Sequence, residues 1–541
     1  MEKSIRRKRC VASFMILFFL VGIFSLGQGY ASAAANENID LKIGLFYAST
    51  AKSSVTVTAQ NGFIYACQKS DDSVNNMWQN PADTSVTVSK YTGYYVKLQK
   101  SGLDYTTAKT LAAKYPNAYP GNVNGSTCVV IANYASLATA QIAAEALNKD
   151  GVTATACNID ANLVLVKNTT GAFAFSSTDG YLVLKPISTN VVTINSTSYN
   201  GSVLFKRLSN SDMTVINIVN MYDYLASVIG QEMSPSWPAE ALKAQTVAAK
   251  CYALVSLTRY KDYGFNMDAT TNCQVYMGTS KVTDSTRAAV NATKGVMALY
   301  NGQVAQTFFY SCDGGLTESS EYVWGNAFPY LTGVKDTYEK ADGGQYARWT
   351  VTLTKGDIAT KLKNKGVDLG DITSIQITAR TPVGRVKELT ITGTNGSKAF
   401  TKTTCYSILG LKSSNYSIVG GGATTTNSAT GETSYVAVKG EGSTEMIPQS
   451  GLTAVTKNGT EQVSGSLSVA TKNGIVTLTP TESASTTTGD TAVSGDSFTF
   501  SGGGWGHGVG MSQWGAKAMA DAGFTYKDIL AFYFKGITFS N

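Results

Sequence analysis

Hydrophobic and polar positions change their spacing several times along the chain, and each change marks a predicted element. Residues 40–90 contain short alternating runs such as 54–59, which are typical of a small β-rich region. Strands and helices mixed along the rest of the chain predict an α+β protein, and the length predicts several domains. At 91–168 the predicted strands are 95–98, 128–132, 152–156 and 163–166, and the predicted Ala-rich helices are 105–114 and 136–147.

The order of elements at 91–168 resembles the SPOR domain, a small βαββαβ module. The resemblance rests on the strand pattern and on helices such as 138–147, which reads ATAQIAAEAL. It implies that this region binds peptidoglycan glycan strands that lack stem peptides. A ferredoxin-like spacer domain has the same order of elements and remains an equal alternative.

A pair of helices is predicted on either side of a single acid, Glu232. Apolar residues recur at i, i+4, i+7 and i+8 from Met221, so the first helix has one apolar face and ends near Gly230. The second helix begins at Pro238, which a first helical turn tolerates. Because Glu232 follows the negative end of a helix dipole beside apolar residues, we expect it to retain a proton near neutral pH. An ordinary surface glutamate in a helix–helix turn is the simpler alternative.

Two glycine-rich segments carry the remaining candidate chemistry. At Gly314 and Gly315 a turn lets the backbone approach a ligand closely, and Trp324 offers an aromatic face. The second segment alternates glycine with other residues around His507, and a helix is predicted to begin near Ser512. A plain glycine turn and a structural histidine are the alternatives to ligand binding.

Residues 1–33 are predicted to be a secretory signal peptide. Basic residues up to Arg9 precede an apolar run at 11–26, and Ala31-Ser32-Ala33 supplies a small-residue cleavage pattern. An uncleaved N-terminal membrane anchor is the alternative. We therefore expect an exported protein, located outside the cell, in the cell wall or on the outer face of the cytoplasmic membrane.

Composition narrows the function classes further. The 541 residues carry 44 basic and 37 acidic side chains, a net charge of +7, and no basic cluster follows residue 9, so nucleic-acid binding is not expected. His507 is the single histidine, which disfavours histidine-rich metal sites. Seven cysteines follow the predicted signal at wide spacings, too few for a disulfide scaffold.

Three ordered blocks resemble the stage II sporulation protein D family, which also includes amidase enhancer proteins. The blocks are YLASVIGQEMSPSWPAEALKAQTVAAKCYAL at 224–254, SCDGGLTESSEYVWG at 311–325 and GWGHGVGMSQWGA at 504–516. The resemblance covers about half of the chain. It implies a lytic transglycosylase that cuts the MurNAc–GlcNAc bond of peptide-stripped glycan strands, and the acid of the first block corresponds to Glu232.

One acid suffices for the reaction that the resemblance implies. The acid protonates the leaving glycosidic oxygen and then accepts the proton of the MurNAc C6 hydroxyl, which closes a 1,6-anhydro ring. No second carboxylate is needed to activate water, in contrast to the common two-acid glycosidases.

The resemblance also implies the substrate contacts, and we predict no cofactor. Lys250 stands where the family usually has arginine, so a planar two-pronged contact becomes a point charge. Some members bind zinc after the second helix, but 267–276 contains Cys273 as its one ligand of that type, and we predict no metal. The predicted substrate-binding residues are Lys250, Tyr252, Ser311, Gly314, Gly315, Thr317, Glu318, Trp324, His507, Ser512 and Gln513.

The catalytic domain is predicted to span 185–541, with a Thr/Ser-rich β insertion at about 421–495. Peptidoglycan glycan strands are the expected partner, and an N-acetylmuramoyl-L-alanine amidase is a further candidate. Two alternative functions remain. One is a non-catalytic, glycan-binding amidase enhancer. The other is a serine or cysteine hydrolase on His507, with Cys312 as one candidate nucleophile, and it is disfavoured because the sequence has no nucleophile-elbow pattern and no identifiable orienting acid.

Overall fold

The computed structural model describes residues 37–540, with gaps at 101, 170, 209–210, 340–343 and 345, and between 421 and 488 it describes the strands alone. The predicted signal peptide and the Thr runs at 424–426 and 486–488 lie outside the described residues. The described chain forms two compact units. The first comprises the described residues of Met1–Glu232, Ala249–Gln306 and Ile537–Asn541, and the second those of Met233–Ala248 and Thr307–Gly536.

Helices and strands are both abundant, which confirms the predicted α+β class. The strands are β1 (Asp40–Phe46), β2 (Ser54–Thr58), β3 (Phe63–Lys69), β4 (Val74–Asn80), β5 (Ser85–Lys90), β6 (Tyr94–Leu98), β7 (Ala118–Val123), β8 (Ser126–Tyr134), β9 (Ala154–Cys157), β10 (Val164–Asn168), β11 (Gly171–Ser176), β12 (Gly180–Pro186), β13 (Val191–Ile194), β14 (Thr197–Asn200), β15 (Ser202–Arg207), β16 (Met213–Asn220), β17 (Met267–Asp268), β18 (Ala298–Tyr300), β19 (Gln303–Val304), β20 (Phe309–Tyr310), β21 (Trp349–Thr354), β22 (Ile372–Arg380), β23 (Val386–Gly393), β24 (Gly396–Thr401), β25 (Tyr416–Gly420), β26 (Tyr435–Gly440), β27 (Ser443–Pro448), β28 (Thr453–Thr456), β29 (Gly459–Gln462), β30 (Leu467–Thr471), β31 (Gly474–Leu478), β32 (Ser497–Gly502), β33 (Met511–Ser512) and β34 (Thr538–Phe539). The helices are α1 (Tyr105–Ala112), α2 (Leu137–Lys149), α3 (Met221–Glu232), α4 (Ala239–Val255), α5 (Asp284–Ala292), α6 (Ser320–Trp324), α7 (Lys355–Lys363), α8 (Thr404–Ser407), α9 (Gln513–Asp521) and α10 (Tyr526–Tyr533). In the described part of the chain, no helix combines the length and the apolar character needed to cross a bilayer.

Two large sheets organise the first unit. One has the order β17-β1-β16-β15-β12-β3-β4, and the other the order β14-β13-β2-β5-β10-β11-β7-β8-β6-β9. The alternating burial of β2, with Val55 and Val57 inside, is the pattern of a strand with one face in the core. The strands of the predicted β-rich region at 40–90 are shared between both sheets, where they pair with strands from later in the chain. Residues 90 and 168, the predicted domain boundaries, therefore both lie inside the first compact unit.

The predicted order of strands and helices at 91–168 is present, and β7 completes it. Antiparallel pairing gives the order β7-β8-β6-β9, with the buried alanines of α1 and α2 packed on this part of the sheet. Sequence reasoning missed β7 because it contains Pro120 and Gly121, which disfavour strands. Glycan binding by this SPOR-like region remains a prediction.

The second unit holds the glycine-rich blocks and the predicted insertion. Its core is formed by the sheets β21-β32-β25 and β22-β23-β24 together with α7. The insertion begins after β25 and ends before β32, and these two strands are antiparallel neighbours in one sheet. The described part of the insertion consists of the strand pairs β26-β27, β28-β29 and β30-β31, which confirms its predicted β character. The cysteines of the described residues are all free thiols.

Candidate functional site

Glu232 is the last residue of α3, in the first unit. The helix is anchored by buried side chains that include Leu225, Val228 and Ile229. The Oε1 atom of Glu232 accepts a hydrogen bond of 3.0 Å from the backbone N–H of Val275, and the side chain is only partly buried. The carboxyl group is therefore oriented by the protein and accessible to a ligand, as a general acid must be.

Gln274 holds the backbone that supplies this donor. The hydroxyl of Tyr224 in α3 donates to Oε1 of Gln274 over 2.9 Å, and Nε2 of Gln274 donates to the carbonyl oxygen of Ala249 in α4 over 3.2 Å. The loop at 267–276 is thus tied to both helices one residue before Val275. This arrangement fixes the position of the N–H that orients Glu232.

Asp268 organises the beginning of the same loop. Its buried carboxylate accepts hydrogen bonds from the hydroxyls of Tyr47 and Thr270, each 2.9 Å long, and from the amide of Asn272 at 3.0 Å. Sequence reasoning missed Asp268. An aspartate followed by Thr and Asn two and four residues later is, however, a signal for a turn closed by side-chain hydrogen bonds.

The donors of this loop do not fit a zinc ion. Cys273 is the one thiol of the loop, and a single thiolate cannot supply a tetrahedral zinc site. Asn272, where a histidine would be needed, donates its amide to Asp268. Hydrogen bonds of Asp268 and Gln274 therefore order this segment.

The second and third sequence blocks lie side by side in the second unit. Strand β20 pairs in parallel with β33, and the N–H of Glu318 donates to the carbonyl oxygen of Gly508 over 2.6 Å. Gly314 has φ +71°, and a Cβ on it would lie 2.5 Å from the carbonyl carbon of Gly503. Gly314 is therefore required for internal packing, which the sequence could not distinguish from ligand binding. Gly315, in contrast, has φ +97° and no atom nearer than 3.9 Å to a Cβ, so its outer side is open.

Six of the predicted substrate-contact side chains are buried, each at most 6% exposed. The ammonium of Lys250 donates to Glu37 over 2.6 Å, the carboxylate of Glu318 accepts from Thr381, and Ser512 caps α9. This geometry does not support direct sugar contacts, because each of these groups already has a partner inside the protein. The six residues are Lys250, Tyr252, Thr317, Glu318, Ser512 and Gln513. Ser311, Gly314, Gly315, Trp324 and His507 keep partial exposure.

His507 organises the third block from within an aromatic cage. Its ring lies 5.2 Å from the ring of Tyr310 and 5.1 Å from that of Trp324, and Nδ1 accepts the N–H of Val509 at 3.0 Å. Burial lowers the pKa of His507 to about 4, although a hydrogen bond with the Phe309 backbone opposes the shift, so the ring is neutral near pH 7. Sugar binding by His507 remains a prediction.

The proposed thiol nucleophile of the alternative hydrolase has the wrong protonation state. Burial raises the pKa of Cys312 to about 12, with a further contribution from the charge of Glu339. A thiol of this kind is almost entirely protonated near neutral pH and is a poor nucleophile. The geometry therefore argues against a hydrolase built on Cys312 and His507.

Trp505 is an exposed aromatic residue that the predicted contact set omits. Its side chain is 46% exposed, contacts the ring of Tyr346 edge-on at 4.5 Å and lies 5.5 Å from the ammonium of Lys412. Beside it, the exposed guanidinium of Arg348 donates to the carbonyl oxygen of Gly314 over 3.2 Å. A tryptophan between two glycines of positive φ was the available signal, since such a turn presents its side chain at a surface.

Comparisons with known proteins identify relatives of this chain, and one family match includes the segment around Glu232. The family described as "Stage II sporulation protein" matches residues 209–300, which contain Glu232, both flanking helices and the loop at 267–276. A domain of unknown function matches residues 325–442. An uncharacterised protein of Brachyspira hyodysenteriae is 30% identical over 64% of this chain and 73% of its own length.

Two relatives from Bacillus subtilis carry functional names. The amidase enhancer is 33% identical over 59% of this chain, but the match covers 40% of that protein's length. The stage II sporulation protein D is 27% identical over 60% of this chain and 75% of its own length.

Proposed function

This chain belongs to the stage II sporulation protein D family, and on that premise we propose that it acts on the bacterial cell wall as a lytic transglycosylase. The proposed substrate is a peptidoglycan glycan strand without stem peptides, reached after export through residues 1–33. The observation that carries the proposal is the position of Glu232, at a helix end, partly open and oriented by the N–H of Val275 at 3.0 Å.

In the proposed reaction Glu232 acts first as an acid and then as a base. Its carboxyl proton passes to the glycosidic oxygen between MurNAc and GlcNAc as the bond from that oxygen to MurNAc C1 breaks. The C6 hydroxyl oxygen of the same MurNAc forms a new bond to C1, and its proton returns to Glu232. The products are a 1,6-anhydro-MurNAc end and a GlcNAc end with a free hydroxyl, so no water is consumed.

The second unit supports this proposal with a surface suited to a sugar chain. Trp324 and Trp505 offer aromatic faces, Gly315 leaves space next to backbone groups, and Arg348 adds an exposed hydrogen-bond donor. We propose that this surface binds glycan and that the SPOR-like region at 91–168 adds a second attachment.

Product analysis by mass spectrometry tests the proposal. The purified chain is incubated with peptide-free glycan strands, and we expect 1,6-anhydro-MurNAc ends. Glu232→Gln should lower the rate by at least about 100-fold, because the amide cannot transfer the proton. Asp223→Asn is the matched control, since Asp223 lies on the same helix and its carboxylate binds Asn190 and Arg287. Reducing-end products would show that water is the nucleophile and would contradict the transglycosylase mechanism.

The relative named amidase enhancer favours a second function, in which the chain binds glycan and stimulates an amidase. Under this alternative, wild type and Glu232→Gln both bind strands, neither cleaves them, and both accelerate peptide release by a purified N-acetylmuramoyl-L-alanine amidase. Equal stimulation without cleavage would replace the transglycosylase proposal.

A further inference from the structure

Three acidic side chains share one buried space in the second unit. One carboxylate oxygen from each of Asp313, Asp336 and Glu339 lies within 4.8 Å of the other two. The residues are 0%, 3% and 9% exposed. Within the described residues, no salt bridge joins any of them to a lysine or arginine. Up to three negative charges therefore meet without a paired cation.

Arg385 is a nearby cation, but its donors serve another purpose. Its Nη2 atom donates to the backbone carbonyl oxygens of Asp313 and Leu316, and its Nε atom also donates to Leu316. The guanidinium therefore stabilises the backbone of the turn and leaves the carboxylates without a direct partner of opposite charge.

Backbone and hydroxyl donors hold the three carboxylates in place. Glu339 accepts from the N–H groups of Asp313 and Gly314, each at 2.8 Å, and from the hydroxyl of Ser512 at 2.6 Å. Asp336 accepts from the N–H of Glu339 at 3.0 Å. The cluster thereby joins the Gly314 turn of the second block to the start of α9 in the third block.

One carboxylate oxygen of the cluster has no hydrogen-bond partner among the described residues. It is Oδ2 of Asp313, whose side chain is fully buried. The hydroxyl of Tyr310, three residues earlier in the chain and 6% exposed, is a second buried oxygen atom without such a partner. Leaving a buried polar group without a partner costs about 1–3 kcal/mol, so the unpartnered oxygen of Asp313 inside the acidic cluster indicates that the cluster binds a ligand.

We propose that Asp313, Asp336 and Glu339 bind a hard divalent cation, and that this cation is Ca²⁺. All three side chains offer oxygen atoms, which Ca²⁺ and Mg²⁺ prefer and softer metals do not. Ca²⁺ takes six to eight oxygen ligands at about 2.3–2.6 Å, which is compatible with carboxylate oxygens less than 4.8 Å apart. Mg²⁺ requires near-ideal octahedral geometry at about 2.0–2.1 Å, whereas Ca²⁺ accepts irregular sites in which carboxylates bind through one or both oxygens.

This site goes beyond the proposed reaction, because it concerns the stability of the turn and not the chemistry of Glu232. Occupation by Ca²⁺ compensates the charge that the fold itself does not, and it fixes the turn of Gly314 and Gly315 relative to Ser512. No sequence pattern predicts this site, because the spacing of the three acids matches no metal-binding motif.

Calorimetric titration and thermal unfolding of the full chain test the site. After removal of metals with a chelator, we expect one Ca²⁺ to bind per chain and to raise Tm by about 5 °C. Asp313→Asn should weaken Ca²⁺ binding at least tenfold. Asp268→Asn, a buried aspartate of the first unit, is the matched control and should keep the full Ca²⁺ response.

Tb³⁺ provides a second readout that does not depend on a variant folding. Its emission should be sensitised by Tyr310 and by Tyr533, whose hydroxyl donates to Asp336, and Ca²⁺ should displace it. Absence of Ca²⁺ binding and of Tb³⁺ emission in the wild type would overturn the proposal. A larger Tm increase with Mg²⁺ than with Ca²⁺ would overturn the choice of ion, and an unchanged response in Asp313→Asn would overturn the choice of residues.

Discussion

The two units bury acidic groups under opposite conditions. In the first unit, Asp268 accepts hydrogen bonds from several neutral donors, and Glu37 pairs with the buried ammonium of Lys250. In the second unit, Asp313 and two further acids share a space in which one carboxylate oxygen has no partner among the described residues. The chain itself therefore compensates Asp268 and Glu37, whereas the acidic cluster depends on the proposed cation.

This difference bears on how each unit supports the proposed function. Hydrogen bonds around Asp268 and Gln274 position the N–H that orients Glu232. The proposed glycan-binding surface of the second unit consists largely of backbone and aromatic groups, and the turn at Gly314 accepts support from the acidic cluster through hydrogen bonds to Glu339. Substitutions that remove the partners of buried acidic groups in the first unit should therefore cause the largest losses of unfolding free energy.

Lys250→Met should have the largest effect, a loss of about 4 kcal/mol of unfolding free energy. The substitution leaves the carboxylate of Glu37 buried without its cation, and breaking a buried pair in this way costs about 3–5 kcal/mol. Urea denaturation measures the effect. Lys243→Met is the matched control on α4, because the Lys243–Glu240 pair is partly exposed and should contribute less than about 1 kcal/mol. Adding Glu37→Gln to Lys250→Met should restore part of the loss, and failure to do so would contradict the explanation by charge.

Asp268→Ala should cost about 3 kcal/mol. The substitution removes the buried, charged acceptor of three hydrogen bonds, which come from the hydroxyls of Tyr47 and Thr270 and the amide of Asn272. It should also slow glycan cleavage, because the loop that carries Val275 loses its anchor. The free energy of unfolding and the rate of product release are measured for the same preparation. Asp262→Ala is the control, because Asp262 is exposed and its substitution should change the free energy of unfolding by less than about 0.5 kcal/mol. A destabilised variant with full activity would show that the loop does not position Glu232.

The sequence predicts the positions of helices and strands better than the burial and the partners of individual side chains. The helix starts near Ser136 and Ser512 and the start of α4 after Pro238 were predicted correctly, because local hydrogen-bond and φ preferences determine them. Strand β7 was missed, since its pairing with β8 and β11 overrides the local preference of Pro120 and Gly121.

The burial of the candidate site residues could not be predicted from local pattern. Lys250 looks like a surface cation on a helix, yet its partner is Glu37, more than two hundred residues away in the sequence. Asp313 and Glu339 meet only because the chain folds back between them, and no spacing rule describes that approach. Glu232 was identified from a family resemblance, and its contact with Val275 required the structure.

The pH dependence of stability tests the effect of burying His507 in the second unit, and the expected change is smaller than for the two substitutions above. Its pKa in the folded protein is lowered to about 4 from an ordinary value of 6.5, so the unfolded chain binds a proton first as the pH falls. Stability supplied by the neutral ring is therefore present above pH 6.5 and is lost between 6.5 and about 4. With allowance for its partial exposure, the loss should be roughly 2 kcal/mol.

The pH dependence of His507→Gln isolates this contribution, since the chain has no other histidine. Urea denaturation of both proteins at several pH values between 7 and 4.5 should show a shallower decline for the variant, while the acidic residues contribute equally to both. Parallel curves would mean that His507 titrates normally in the folded state.

Trp505→Ala should have the smallest effect and acts on the surface of the second unit. Loss of an exposed stacking face should weaken glycan-strand binding by about 1 kcal/mol, roughly fivefold in Kd or KM, with kcat unchanged because Trp505 has no part in the proton transfers. Trp505→Phe should retain most of the affinity, and Met277→Ala, an exposed apolar side chain of the first unit, should retain all of it. A fall in kcat with KM unchanged would contradict a pure binding role. Equal losses for the Ala and Phe variants would show that the indole packs on Tyr346 to shape the loop and does not stack on sugar.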